Sequence, residues 1–154
     1  MGNIARRLAE LGLALPTAAA PAANYAPFAA TGNLLFIAGQ LPLKDGKLLH
    51  AGRLGDGVTV EEGYQAARLC GLNIIAQINA AGGLERVRRI VRLGGFVACA
   101  DAFTDHPKVV NGASDLLVEV FGEAGRHARA AVGCPSLPLG AAVEVDAIVE
   151  LTDS

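Results

Sequence analysis

The sequence predicts an α+β protein in which two helices cover one face of a mixed sheet. Two long segments place apolar residues at helical spacing, and the segments around them have the length and composition of strands. The predicted order is strand, strand, helix, strand, helix, strand, strand. With 154 residues the chain fits a single domain, 1–154, built around one core.

A short amphipathic helix and a proline-rich connector are predicted at the start of the chain, over residues 1–23. Ile4, Leu8 and Leu11 repeat at helical spacing with charged residues between them. The connector continues as "PTAAAPAANYAP", where each proline removes a backbone donor and disfavours helix before it. The run "NLLFIAGQLPL" then predicts a strand, and the "KDGK" after it predicts a tight hairpin.

The first long helix is predicted to begin with a capping box. Thr59 can cap free backbone amides while Glu62 reaches back to the residue that caps it. Gly82 and Gly83 are expected to end this helix. The residues predicted to form its buried stripe are Ala67, Gly71, Ile74, Ile75 and Ile78.

A strand, a second helix and two further strands are predicted to follow. In the strand "RIVRLGGFVACA", Gly94 and Gly95 indicate a bulge or a close backbone approach. Pro107 suits the first turn of the second helix. The last two strands are "ARAAVG" and "AAVEVDAIVEL", separated by a proline-containing turn. The second helix has apolar residues at Val109, Val110, Ala113, Leu116, Leu117, Val120 and Phe121.

The composition predicts an oligomer and argues against nucleic acid as a partner. Hydrophobic residues make up 52% of the chain and charged residues 18%, more apolar surface than a small domain easily buries. We therefore expect a subunit interface on the uncovered sheet face. A net charge of −2 and only 5% aromatic residues give no RNA-binding surface. The one basic group is Arg86, Arg88, Arg89 and Arg92, of which all but Arg89 would share one solvated face of a regular strand.

The three cysteines, Cys70, Cys99 and Cys134, predict reduced thiols in a cytoplasmic protein. They are odd in number, far apart and set among apolar neighbours. No pair has zinc-ligand spacing, and the histidines add no further ligand motif. We expect neither a metal nor a cofactor. The apolar N-terminal run is interrupted by Glu10 and by prolines, so neither a signal peptide nor a membrane span is expected.

Two charged residues stand out in the final strands. Alternation puts Arg129 on one face with Ala131, and it puts Glu144 on the face opposite Val143 and Val145. An arginine among small residues is suited to hold a carboxylate with two hydrogen bonds. On the pattern alone, a cross-strand ion pair between Arg129 and Glu144, or two side chains reaching water, is the simpler interpretation.

Several stretches, taken together and in order, resemble the RidA/YjgF family. They run from Tyr25 to Leu151, nearly the whole chain, and the N-terminal helix is an addition relative to the shortest members. The chain is therefore similar to a divergent branch of that family. The matching stretches are "YAP", "GNLLFIAGQLPL", "AAGG" at the end of the first long helix, "VN" in the second, "AR", "SLP" and "VEV".

The resemblance implies a chorismate-mutase-like fold assembled as a homotrimeric barrel, with clefts between subunits. It also implies hydrolysis of reactive 2-imino and 2-enamino acids to 2-keto acids and ammonia. Two alternatives stay open: a non-catalytic protein that binds small carboxylates, and an endoribonuclease, an activity attached to the family's name. No membrane partner is expected.

The resemblance also assigns roles to individual residues. Arg129 matches the arginine that grips the substrate carboxylate, and Glu144 matches the glutamate that positions the attacking water. Two positions depart from the family pattern: Ala131 replaces a frequent cysteine, and Ala38 replaces a serine. A backbone carbonyl at Ala131 can still contact the substrate nitrogen. The remaining residues expected to bind substrate are Tyr25, Gly39 and Asn111.

Overall fold

The computed structural model describes residues 1–153 and contains a five-stranded mixed sheet with helices on one face. The helices are α1 (Asn3–Glu10), α2 (Val60–Ala80) and α3 (His106–Phe121). The strands are β1 (Phe28–Thr31), β2 (Leu34–Gln40), β3 (Leu43–Lys44), β4 (Lys47–Leu48), β5 (Arg53–Leu54), β6 (Gly57–Val58), β7 (Val87–Ala98), β8 (Ala128–Cys134) and β9 (Val143–Leu151).

The strands of the main sheet lie in the order β1-β2-β9-β7-β8. The β7–β8 pair is parallel and the other three pairs are antiparallel. β3 and β4 form the hairpin expected at the "KDGK" turn, where Asp45 and Gly46 both have positive φ. The sheet is mixed and α2 and α3 pack on one of its faces, so the predicted α+β class is confirmed.

Helix α2 begins with the predicted capping box. The Glu62 amide donates to Thr59 Oγ1 at 3.1 Å, and the Thr59 amide donates to Glu62 Oε1 at 3.0 Å. The predicted apolar stripe is buried, and the chain leaves the helix at Gly82, whose φ is +74°. Within residues 1–153 no helix combines the length and apolar character needed to cross a membrane.

The N-terminal segment is held against the other helices by a few defined contacts. The Glu85 carboxylate accepts hydrogen bonds from the amides of Ile4 and Ala5 at 2.9 and 3.0 Å, which caps α1 from a distant part of the chain. The Gln77 side chain, almost fully buried, donates to the Ala19 carbonyl at 2.9 Å. The connector is thereby fixed over α2 without secondary structure of its own.

The paired glycines of β7 are explained by close approach. A side chain at Gly95 would lie 2.6 Å from a methyl group of Val110 on α3, and one at Gly94 would collide with the Asp146 carboxylate. The register shifts of β7 lie earlier in the strand, between Val87 and Arg92. Of the two alternatives for these glycines, the close backbone approach is confirmed.

Three short strands were not predicted from the sequence. β1 carries one large apolar residue, Phe28, and its other residues are exposed, so it has no alternation to detect. The pair β5 and β6 has only two residues in each strand. Such strands form because neighbouring backbone groups offer hydrogen-bond partners, a tertiary effect that a local pattern does not record.

The two faces of the sheet differ in polarity and cover. Along β9, every second residue from Val143 to Leu151 is buried beneath the helices, while the residues between them are only partly buried. On that opposite face, Phe36, Phe96 and Val132 are 41%, 36% and 47% exposed. An apolar surface of this kind is typical of a subunit interface.

Candidate active site

The structure divides the predicted site residues between the two faces of the sheet. Arg129 on β8 points towards the helices, because its guanidinium donates hydrogen bonds to groups on α3. Glu144 on β9 points to the open face, opposite the buried Val143 and Val145. β7 lies between β8 and β9. The alternative of an ion pair between Arg129 and Glu144 within one chain is therefore wrong.

The Arg129 guanidinium is oriented by two neutral acceptors. Nη1 donates to Ser114 Oγ at 3.0 Å, and Nη2 donates to the Pro107 carbonyl at 3.1 Å. Within residues 1–153 it forms no ion pair, and its remaining N–H groups border a cavity of about 290 Å³ that Asn111 also lines. A cation held in place without an anionic partner, at an open cavity, can bind a carboxylate.

Ser114 is in turn fixed by His127. Its hydroxyl lies 2.8 Å from His127 Nε2, and His127 Nδ1 lies 2.7 Å from the Gly125 carbonyl. Because a carbonyl only accepts, Nδ1 carries the proton and Nε2 accepts from the Ser114 hydroxyl. Burial lowers the pKa of His127; the hydrogen bond to the Gly125 carbonyl opposes this and the Arg129 charge adds to it, and the net lowering favours the neutral imidazole. The Ser114 oxygen is left free to accept from Arg129.

The other charged residues at this cavity are engaged elsewhere. Asp115 accepts a hydrogen bond from the Tyr64 hydroxyl at 2.6 Å, and this bond, helped by burial, raises the pKa of Tyr64 to about 12. Arg126 pairs with Glu123 at 2.9 Å on the exposed rim. Neither residue is hydrogen-bonded to Arg129, whose partners are Ser114 and the Pro107 carbonyl.

Glu144 lies in a second cavity of about 190 Å³, which Tyr25, Ala38 and Gly39 also line. A side chain at Gly39 would collide with the Glu144 carboxylate, so the glycine makes room for it. Within residues 1–153 this carboxylate makes no hydrogen bond or ion pair. Burial, and then the nearby Asp146 charge, raises the pKa of Glu144.

The N-terminal connector forms one wall of the Glu144 cavity. Residues 19–22 line it together with Leu139, which has a positive φ of 61° and is 73% exposed. The segment that precedes the predicted first strand therefore contributes directly to a predicted site. Leu139 follows the "SLP" stretch, so this turn and the connector both line the cavity.

Ala131 lies between Arg129 and Gly133 on the helix-facing side of β8. Its methyl group is partly buried against the core. β8 is the last strand of the sheet and pairs only with β7, so its outer edge is unpaired within the protomer. Arg129 and Ala131 are thus at an edge, and Tyr25, Gly39 and Glu144 are on the other side of the sheet.

Two residues of the Arg129 cavity, Ser114 and His127, were missed as site residues in the sequence. A signal for both was present. Ser114 follows Asn111 by three positions on α3 and so shares its helix face. His127 precedes Arg129 by two positions and so shares its side of an extended segment. Spacing relative to the two predicted residues would have found them.

Three of the four clustered arginines lie against two carboxylates, so the positive charge of the group is partly neutralised within the chain. Arg89 Nε lies 2.9 Å from Glu150, Arg88 Nε lies 3.9 Å from the same carboxylate, and Arg92 pairs with Asp146 at 4.0 Å. Arg86 belongs to a 3-10 helix at residues 84–86, and two register shifts follow it. The expectation that Arg86, Arg88 and Arg92 share one regular strand face is wrong.

The comparisons with known proteins agree with this architecture. Residues 5–151 match a family model described as "YjgF/chorismate mutase-like, putative endoribonuclease". Protein TCP17 of Trypanosoma cruzi is 51% identical over 99% of this chain and 96% of its own length. A Shewanella oneidensis crystal structure named as a putative endoribonuclease is 46% identical, with a TM-score of 0.92 over 96% of this chain and 99% of that one. The structure of RidA from a Psychrobacter species is 25% identical, with a TM-score of 0.65 over 88% and 94%.

Proposed function

Because the chain belongs to the YjgF/chorismate mutase-like family, we propose that it hydrolyses 2-imino and 2-enamino acids to 2-keto acids and ammonia. The observation that carries this proposal is the Arg129 guanidinium, which is fixed by Ser114 and the Pro107 carbonyl and has no carboxylate partner within residues 1–153. The small cavity beside it matches a ligand that is itself a small carboxylate.

The active unit of this proposal is a cleft between two protomers of a homotrimer. Arg129 and Glu144 face opposite sides of the same sheet, so one protomer does not bring them to one substrate. The unpaired edge of β8 and the exposed Phe36, Phe96 and Val132 offer surfaces for a neighbouring chain. Arg129 and Asn111 come from one protomer, and Tyr25, Gly39 and Glu144 come from the next.

The proposed reaction needs a held substrate, a placed water and routes for protons. Arg129 binds the substrate carboxylate, which presents the C2 carbon of the imine to water. Glu144 accepts a proton from that water as its oxygen bonds to C2 and the C=N π electrons move to nitrogen, which takes up the proton to give a carbinolamine. Glu144 then takes the proton of the carbinolamine hydroxyl and passes it to the amino nitrogen, the C–N bond breaks with its electrons on nitrogen as the C=O bond forms, and ammonia and the 2-keto acid leave. An enamine first takes a proton at C3 to become the imine.

The two departures from the family pattern do not remove any group that this reaction requires. An imine is already electrophilic, so the thiol that Ala131 lacks is not needed to form a covalent intermediate. The Ala131 carbonyl can accept a hydrogen bond from the substrate nitrogen. The substitutions Ala38 and Ala131 make the cleft less polar, and they favour a second candidate function, the binding of a small carboxylate without turnover.

A coupled assay separates the two candidates. An amino-acid oxidase or a threonine dehydratase generates the short-lived imine, and its decay is followed with and without the protein. We expect faster decay and matching release of ammonia in the presence of the protein. Binding of pyruvate or 2-ketobutyrate with no change in imine decay would leave the binding function and exclude the hydrolytic one.

Ser114 is expected to act through Arg129, which makes it a positioning residue. Ser114→Ala removes the acceptor that holds Nη1, so the guanidinium binds the carboxylate less tightly. We expect KM to rise about tenfold with little change in kcat, because one charge-assisted hydrogen bond that orients the cation is lost. Ser114→Thr keeps a hydroxyl and should restore KM. An unchanged KM in the alanine variant, or a loss of kcat alone, would contradict this role.

The endoribonuclease function receives less support from the described residues. Arg88, Arg89 and Arg92 lie against Glu150 and Asp146, and the chain has few aromatic side chains to stack on bases. Cleavage of single-stranded RNA by the purified protein, lost on substitution of Arg129, would favour the endoribonuclease function over imine hydrolysis.

The cytoplasmic location stays a prediction from the cysteines.

A further inference from the structure

A third cavity, distinct from those of Arg129 and Glu144, contains two thiols and an imidazole. It has a volume of about 320 Å³ and shares no lining residue with either of the other two. It lies where β7 ends, beside the last residues of β8 and the start of α3. The residues that carry its chemistry are Cys99, His106, Cys134, Asp101 and Phe103.

Cys99 and His106 form a thiol–imidazole pair in this cavity. Cys99 Sγ lies 3.4 Å from His106 Nε2, within the range of a hydrogen bond to sulfur. The Phe103 ring packs edge-on against the imidazole, with a centroid separation of 5.4 Å and an interplanar angle of 79°, which restricts its rotation. A nucleophile next to a base that is oriented by a third group is the arrangement that activates thiols.

Gly133 makes this pair possible. A Cβ atom at position 133 would lie 2.5 Å from His106 Nε2 and 2.7 Å from Cys99 Sγ, closer than non-bonded atoms approach. Any side chain there would separate the sulfur from the imidazole or block the space above them. The absence of a side chain on β8 therefore keeps the two groups together and leaves the cavity open in front of them.

We propose that Cys99 and His106 form a reactive site that adds to small uncharged electrophiles, of which α,β-unsaturated carbonyl compounds are the natural class. The thiol proton moves to His106 Nε2 as the sulfur bonds to the β-carbon of the acceptor and the carbon–carbon π bond breaks. The α-carbon then takes a proton from the imidazolium, which regenerates the neutral base. The product is a thioether, and no oxidant or cofactor is consumed.

The other two cysteines lack the features of this site. Cys70 is fully buried in the core, its thiol donates to the Val143 carbonyl at 3.7 Å, and burial raises its pKa well above the usual range. Cys134 is more exposed than Cys99, but its thiol donates to the Val97 carbonyl at 3.6 Å and burial raises its pKa. If exposure alone set reactivity, Cys134 would react first. The proposed site predicts instead that Cys99 reacts first.

The charge around the cavity selects among electrophiles. Asp101 lines it with an exposed carboxylate, and no lysine or arginine is among its lining residues. Asp105, at the start of α3, is paired with Lys108 at 3.6 Å. An anionic reagent would be repelled by Asp101, whereas an uncharged one would enter freely. This activity is independent of the proposed imine hydrolysis, because it uses neither Arg129 nor Glu144.

Competitive alkylation within the intact protein tests the proposal. The full chain is treated with substoichiometric iodoacetamide at pH 7.5, and the modification of each cysteine is followed by peptide mass spectrometry. We expect Cys99 to react at least about tenfold faster than Cys134, and Cys70 to stay unmodified. The rate of each reagent at Cys99 is divided by its rate with free glutathione. On this scale iodoacetate, which is anionic, should react more slowly than iodoacetamide. Crotonaldehyde should give a thioether at Cys99.

Two variants distinguish an activated thiol from a merely accessible one. His106→Gln should slow the alkylation of Cys99 about tenfold and leave the rate at Cys134 unchanged, which also reports that the local structure is kept. Gly133→Ala should also slow the alkylation of Cys99, because the added methyl group would separate Cys99 Sγ from His106 Nε2. Faster reaction at Cys134 than at Cys99, or an unchanged Cys99 rate in His106→Gln, would overturn the proposal.

Discussion

Replacement of Arg129 by alanine is expected to lower kcat/KM for 2-imino acid hydrolysis about 100-fold, because two charge-assisted hydrogen bonds to the substrate carboxylate are lost. Most of the loss should appear as a raised KM, with a smaller fall in kcat from poorer orientation of C2. The measurement is the decay of an enzymatically generated imine at several concentrations. The variant should fold normally, since Arg129 is half-buried and makes no ion pair within residues 1–153.

Arg126→Ala is the matched control for this variant. Arg126 lines the same cavity and carries the same charge, but it is exposed and paired with Glu123. If general electrostatic attraction drew the substrate in, both variants would lose activity to a similar extent. Under the proposed binding mode Arg126→Ala retains activity within about threefold. Equal losses in the two variants would contradict the assignment of the carboxylate to Arg129.

Replacement of Glu144 by glutamine is expected to lower kcat about 100-fold with little change in KM, because the amide cannot accept the proton of the attacking water. The wild-type pH profile should carry the same signature. Burial raises the pKa of Glu144, so the carboxylate becomes protonated at a higher pH than an ordinary glutamate. Activity should fall as the pH decreases through this raised pKa, and the variant should lack that limb of the profile.

The raised pKa of Glu144 also determines how this residue changes the stability of the folded protein with pH. The folded state binds the Glu144 proton more readily than the unfolded state, so this residue favours folding below its ordinary pKa. That contribution is lost as the pH rises through the raised pKa, and at neutral pH the charged carboxylate opposes folding. Glu144→Gln should therefore melt at the same temperature as the wild type or higher, even though its kcat is much lower.

Asp146→Asn provides the control for Glu144. Asp146 lies on the same sheet face two residues away, burial also raises its pKa, and it is paired with Arg92 rather than free. It should keep most of the activity. If kcat fell as much in Asp146→Asn as in Glu144→Gln, activity would depend on the total negative charge of the open sheet face. That result would contradict the role of Glu144 as the base.

Much of the fold was accessible from local patterns in the sequence. The capping box at Thr59 and the apolar stripes of α2 and α3 predicted the two covering helices, because caps and helical periodicity are local properties. The alternation in β9 separated its two faces, and the structure shows that the face of Val143 and Val145 is the buried one. β1 was missed, since its partner β2 rather than its own sequence makes it a strand.

The candidate site was accessible only in part, for a geometric reason. Alternation correctly separated the two faces of each strand, but it did not say that Arg129 and Glu144 face opposite sides of one sheet. That relation depends on the strand order, with β7 between β8 and β9, and the order is set by long-range pairing. The fixing of Arg129 by Ser114 and His127 likewise joins a helix to a strand, and no single segment encodes it.

The claim that two protomers share each active site is tested most directly by mixing inactive chains. Arg129→Ala and Glu144→Gln carry different tags, are co-expressed, and trimers that contain both are isolated by tandem purification. Each mixed trimer has one cleft with a native Arg129 from one chain and a native Glu144 from its neighbour, so we predict about one third of wild-type activity. Mixed assemblies as inactive as either parent would contradict the shared site.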